Sequence, residues 1–265
     1  MADLKERNTT MEKLARNLDK TKVPSPVPPP IKEAFFMGTG HSQEEANALE
    51  RKHFPSPIDN KPFDKIYAFG GKGFDLDRSA KDNAKANLSL LSDETMGRIE
   101  SLRNAHIDKL VAHSNGATVA EVLIRNDFIT VKELYLMGGD RSLTNLNGLE
   151  KLAKEKGIKI TVFANPGDPV VTVPNLSEMK GAMSPSKMAE QLTYKIMGGQ
   201  EQEQERRVKV IVFDGKGYIN GSNSDPLGFI KHPYESLKSF FWPHNSENYF
   251  FNVRKYRKDH DGNLD

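Results

Sequence analysis

The chain has 265 residues, 37% of them apolar and 28% charged, enough for one large α/β domain with a buried core or for two small ones. Its 38 basic and 36 acidic side chains leave a formal charge of +2, too weak a field to argue for nucleic acid. The absence of cysteine excludes disulfides, thiol nucleophiles and thiolate metal sites together.

The N-terminal stretch MADLKERNTTMEKLARNLDK is charged throughout and has no apolar core, so it does not read as a secretory signal peptide. No apolar run approaches the roughly 20 residues that span a bilayer, and no transmembrane segment is expected. The expectation is a protein that is cytoplasmic as synthesised, whose export would need a route independent of a signal peptide. Residues 1–22 read as a polar helical arm. Residues 23–30 hold five prolines, which fix φ and remove amide donors, and so read as an extended linker.

From residue 31 to 265 the pattern predicts one α/β domain. Short apolar runs at 34–37, 65–69, 109–113, 133–137, 159–163 and 209–213 read as strands. Helix candidates lie between them at 43–52, 79–104, 115–125 and 146–156. Buried strands alternating with helices imply a mostly parallel sheet of about six strands with helices on both faces. After Val173 the rhythm stops, and 174–206 reads as a small lid-like insertion. Four of the nine methionines fall there, among them Met179 and Met183. Methionine adapts to varied apolar groups, so a mobile cap over an apolar pocket is expected, with an ordinary amphipathic helix as the alternative. The run Gln200–Glu205 reads as a solvated loop.

The most informative stretch is Lys109 to Ala120. A short apolar strand runs into Ser114, and a helix of small residues begins directly after it. The pattern is small-x-Ser-x-small, with Ala112 and Gly116 flanking the serine at two residues. A serine on a sharp strand-to-helix turn projects its hydroxyl from the sheet edge, and small flanking residues let strand and helix approach. The helix N-terminus aims amides at the same point, and that of Asn115 is a candidate oxyanion donor. A serine that merely caps the helix would give the same sequence.

Strand, serine and helix in this order resemble the α/β-hydrolase superfamily, in particular its lipase- and esterase-like bacterial members. The resemblance covers about residues 31–241. It implies an α/β-hydrolase fold and a triad in the chain order nucleophile, acid, histidine, with Ser114 as nucleophile. The family carries its acid in a loop after a late strand, which points to Asp168 in the Pro- and Gly-rich turn 164–171. Asp140 and Asp214 are the rivals, and a turn aspartate bonded to its own backbone is the plain alternative. His232, beyond the last strand, takes the histidine's place in the order, with His244 as runner-up. His41 lies in an early loop, His53 and His106 are read on or beside helices, and His260 in a polar tail.

Related proteins draw a second oxyanion amide from a glycine loop after an early strand, which makes Thr39 or Gly40 the donor here. Gly38, His113, Met179 and Met183 are the expected substrate contacts, although His113 could also pack inside the elbow. The glycines at 70, 71 and 73 suggest a pocket wall or a phosphate-cradling turn, but they lack the Lys-Ser/Thr ending of a P-loop. The resemblance thus implies hydrolysis of a small-molecule or lipid carboxylic ester (a lipase, phospholipase or esterase) through an acyl-enzyme, with no metal and no organic cofactor. Similar domains form the toxic tips of secreted bacterial effectors, which would imply an immunity or chaperone protein as partner. The alternatives are a thioesterase or amidase on the same triad, and a non-catalytic binding module on the same fold. Oligomeric state is not readable.

Overall fold

The computed structural model describes residues 28–38, 41–69, 82, 85–86, 90–139, 146–165, 168, 207–213 and 245–264. Six strands form one sheet: β1 (Ile31–Met37), β2 (Lys65–Ala68), β3 (Ala105–His113), β4 (Ile129–Met137), β5 (Lys159–Ala164) and β6 (Val208–Val212). Their order is β2-β1-β3-β4-β5-β6, and every neighbouring pair is parallel. Parallel neighbours need long crossovers, and these carry α1 (Gln43–Arg51), α2 (Asp93–Met96), α3 (Asn115–Arg125) and α4 (Leu146–Lys156). A last helix, α5 (Ser246–Asp259), follows β6 in the chain.

The C-terminal halves of the central strands are buried on both sides, which is why they read as unbroken apolar runs. On one face, α3 and α4 cover Ala34, Phe36, Leu110, Ala112, Leu134, Leu136, Ile160 and Val162. On the other, Ala46 of α1, Ile58 and Phe63 of the following loop, and Tyr249, Phe250 and Val253 of α5 pack over Phe35, Val111, Met137 and Phe163. The Phe35 ring lies 5.3 Å from Phe63 and 5.1 Å from Phe250, so strand, loop and last helix share one aromatic cluster. Helices therefore cover both faces, as the sequence implied.

A row of charge crosses the sheet. Lys109 pairs in register with Glu133, and Glu133 with Lys159. Alternating charge on adjacent strands favours this register over a slip that would set like charges side by side. Asp64 adds to the row by accepting the amides of Lys32 and Glu33 at 2.9 and 3.0 Å.

Two expectations need correction. The helix read at 79–104 is not continuous. Residues 90–92 are not helical, Ser92 caps the short α2, a 3-10 turn follows at Glu100–Leu102, and Asn104 sits at φ 61°. Serine followed by aspartate is a start signal, and asparagine accepts the left-handed region, so this segment carries its own stops. Second, β1, β3 and β4 begin earlier than the apolar runs, because their first halves alternate polar and apolar residues; His106 accordingly lies on β3 and not beside a helix. Residues 246–259, to which the sequence assigned no element, form the helix α5, capped at Asn245 by a 2.9 Å bond from the amide of Glu247; His260 follows it in an exposed polar end. The arm at 1–22, most of the linker and the whole of 174–206 lie outside the described residues.

Candidate functional site

The sheet order turns back between β1 and β3, with β2 on one side and the remaining strands on the other. In open α/β sheets the carboxyl ends of the strands at such a switch point form a crevice where ligands bind. Gly38 follows β1 there and Ser114 follows β3.

Ser114 has φ 54° and ψ −129°. A residue with a Cβ pays about 1–3 kcal/mol for so sparsely populated a conformation. Its neighbours hold it there. The Ser114 amide donates to the carbonyl of Met137 at 2.9 Å, and the Ala117 amide donates to the Ser114 carbonyl at 2.9 Å. The Ser114 side chain makes no capping bond to α3, which removes the helix-cap alternative.

The flanking glycines are needed sterically. A Cβ on Gly116 would stand 2.3 Å from the carbonyl oxygen of Phe36 and 2.9 Å from that of Met37, so α3 lies directly on β1. A Cβ on Gly38 would stand 2.7 Å from Cβ of Ser114 and 3.1 Å from Nδ1 of His113. Gly38 is therefore the floor beside the serine. Thr39 and Gly40, the expected amide donors, lie outside the described residues.

Asn115 opens α3, where the first N–H groups have no partner within the helix. Its side chain is buried and donates to Oδ2 of Asp82 at 3.0 Å. Asp82 is itself fully buried, and it accepts the Ser92 amide at 2.7 Å and the Thr95 hydroxyl at 2.8 Å. This carboxylate ties the β2–β3 crossover to the residue after the serine. Nothing in the sequence around Asp82 signalled it.

Asp168 follows β5 and is completely buried. Its Oδ2 accepts the hydroxyl of Tyr249 at 2.7 Å, and its amide donates to the carbonyl of Asn165 at 2.9 Å. The carboxylate is thus held inside the protein by a side chain 81 residues away, beside a local backbone bond. Burial pushes the Tyr249 hydroxyl well above its usual range, and the charge of Asp168 and its hydrogen bond push the same way. Tyr249 accordingly remains a proton donor. Its ring stands 5.7 Å from His113, which is 5% exposed and packs inside the elbow.

The structure brings together Ser114, Asn115, Gly38 and His113, and joins Asp168 to them through Tyr249. The sequence did not single out Tyr249, because no helix was read at 246–259. His41 lies 3.7 Å from Glu45 at the start of α1; burial lowers its pKa, and Glu45 partly opposes that. His232, His244, Asp140, Asp214, Met179 and Met183 lie outside the described residues. Among the described residues, no group of three or more His, Cys, Asp or Glu side chains could hold a metal ion. No described helix is long and apolar enough to cross a membrane.

Fold and site together define an α/β protein with one all-parallel, six-stranded sheet and a strained serine at its switch point. No protein-family model matches the chain, and no curated protein does. Among solved structures it is similar to an uncharacterized protein from Bacillus cereus ATCC 10987, whose crystal structure has 2.75 Å resolution. The two share 16% sequence identity at a TM-score of 0.35, over 87% of this chain and 66% of the other. The chain thus spans just under two thirds of that protein's length.

Proposed function

We propose that the chain is a serine hydrolase of the α/β-hydrolase type that cleaves a carboxylic ester, with Ser114 as nucleophile. The observation that carries this reading is the backbone of Ser114, at φ 54° and ψ −129° on a strand-to-helix turn. Strain of this kind persists only where surrounding structure enforces it, and it concentrates at functional sites. A helix cap needs no such conformation, whereas a nucleophile that must project from a sheet edge does.

In this reading Ser114 attacks the ester carbonyl and gives its proton to His232. The oxyanion rests on the amide of Asn115 and on an amide of the loop 38–40. The alcohol leaves with the proton from the histidine, and the acyl group stays on Ser114. Water then attacks, again losing a proton to the histidine, and the acid is released. Asp168 keeps the imidazole in one tautomer. Its burial and its place in the chain, after the nucleophile and before His232, support that role. An apolar acyl group is the substrate class we assign, on the adaptability of Met179 and Met183.

A fluorophosphonate probe tests the reading. Wild type should be labelled and Ser114→Ala should not, with hydrolysis of p-nitrophenyl esters falling about 10⁴-fold or more in the variant. A folded wild type that resists the probe would favour a non-catalytic binding module and overturn the reading.

A further inference from the structure

We propose that Tyr249 is a positioning residue for the reaction at Ser114, acting by fixing the carboxylate of Asp168. This rests on the serine-hydrolase reading above. Three contacts carry it. The Tyr249 hydroxyl donates to Oδ2 of Asp168 at 2.7 Å, with both side chains completely buried. Its ring stands 5.7 Å from that of His113, the residue before Ser114. It also stands 6.3 Å from Phe213, the residue after β6. One side chain from the last helix thus meets the carboxyl ends of β3 and β6 and the acid beyond β5. His113 and Asp168 are the titratable groups that face it among the described residues.

A buried tyrosine hydroxyl needs an acceptor, and any carbonyl would satisfy it. Here the acceptor is a carboxylate, which has a chemical consequence. A neutral donor on Oδ2 draws charge from the carboxylate and fixes its plane. The histidine that bonds such a carboxylate then has a set orientation and a lower proton affinity than it would beside an unmodulated one. Tyr249 would in this way tune the pH at which Ser114 becomes a nucleophile, without touching substrate.

The test follows fluorophosphonate labelling of Ser114 and p-nitrophenyl butyrate hydrolysis against pH. The proteins are wild type, Tyr249→Phe, and the chain carrying 3-fluorotyrosine at 249, with thermal unfolding of each measured alongside. Phenylalanine removes the donor, so kcat should fall about tenfold with little change in KM, and the acid limb of the profile should rise by about half a pH unit. Fluorotyrosine is a stronger donor, so its limb should move the other way. A merely structural tyrosine would change the amount of folded protein and leave the limb in place; unmoved limbs in labelled, folded variants overturn the inference alone. Should Tyr249→Phe fail to fold, the fluorotyrosine protein decides by itself. A folded wild type that the probe does not label overturns both the underlying reading and this one.

Discussion

Ser114 stores energy that its neighbours supply. Its left-handed φ costs a serine about 1–3 kcal/mol and costs glycine little. Ser114→Gly is therefore expected to abolish labelling while unfolding at a higher urea concentration than Ser114→Ala, by about 1 kcal/mol. Equal midpoints for the two variants would show that the turn is not strained. The serine was legible in the sequence because small residues at 112 and 116 announced a close approach, and Gly116 turns out to lie against the backbone of Phe36. Gly38 was legible as a glycine near the site, though not as the floor under Cβ of Ser114. Asp82 and Tyr249 were not legible. Each acts through a partner far away in the chain, and a single buried aspartate or tyrosine has no local pattern.

At the scale of elements, β1 carries a second feature away from the serine. Glu33 is buried, accepts a hydrogen bond from the Ser56 hydroxyl, and faces Asp59 and Lys109. Burial, chiefly, lifts its pKa from 4.5 to about 7, with Asp59 adding to the rise and Ser56 and Lys109 opposing it. The folded chain therefore keeps a proton between these values that the unfolded chain has lost. Stability from this group is fully present below pH 4.5 and is lost as pH rises from there through 7, by about 3 kcal/mol in all. Urea unfolding at pH 5, 6, 7 and 8 should show this slope, and Glu33→Gln should flatten it. A Glu33→Gln profile as steep as wild type would place the proton elsewhere.

Helix α5 shows why some elements escape a reading by pattern. Its buried residues include Asn248 and Asn252 beside Tyr249, Phe250 and Val253, so the apolar stripe is interrupted by amides. Helix α4 buries only Leu149, Leu152 and Ala153, and α3 carries a run of small and apolar residues; both were found with their bounds correct. Removing residues from Asn245 onward would uncover Phe35 and Phe63, whose rings lie 5.1 and 6.2 Å from Phe250. Each large buried side chain contributes about 1.5–3 kcal/mol against a total stability of about 5–15. The truncated chain should bind a hydrophobic dye and lose its cooperative thermal transition; a sharp transition without α5 would show that the sheet stands on its own.

For the molecule as a whole, the class was legible and the site only in part. Apolar runs alternating with helical patterns specify a parallel sheet, because only strands covered on both faces read that way. The strand order β2-β1-β3-β4-β5-β6 was not specified by the pattern, yet it is what sets Gly38 and Ser114 side by side. Pairing between strands distant in sequence depends on crossover geometry, which no local spacing records.

The bond between Tyr249 and Asp168 also has a meaning in time. It joins residues 81 positions apart in the sequence. A ribosome that has finished the elbow and the buried aspartate has still to make the helix that gives that aspartate its donor. A nascent chain, or one cut before α5, lacks both the Tyr249 bond at Asp168 and the packing of Phe250 on Phe35. That contact therefore forms only after the elbow, β5 and β6 have been made.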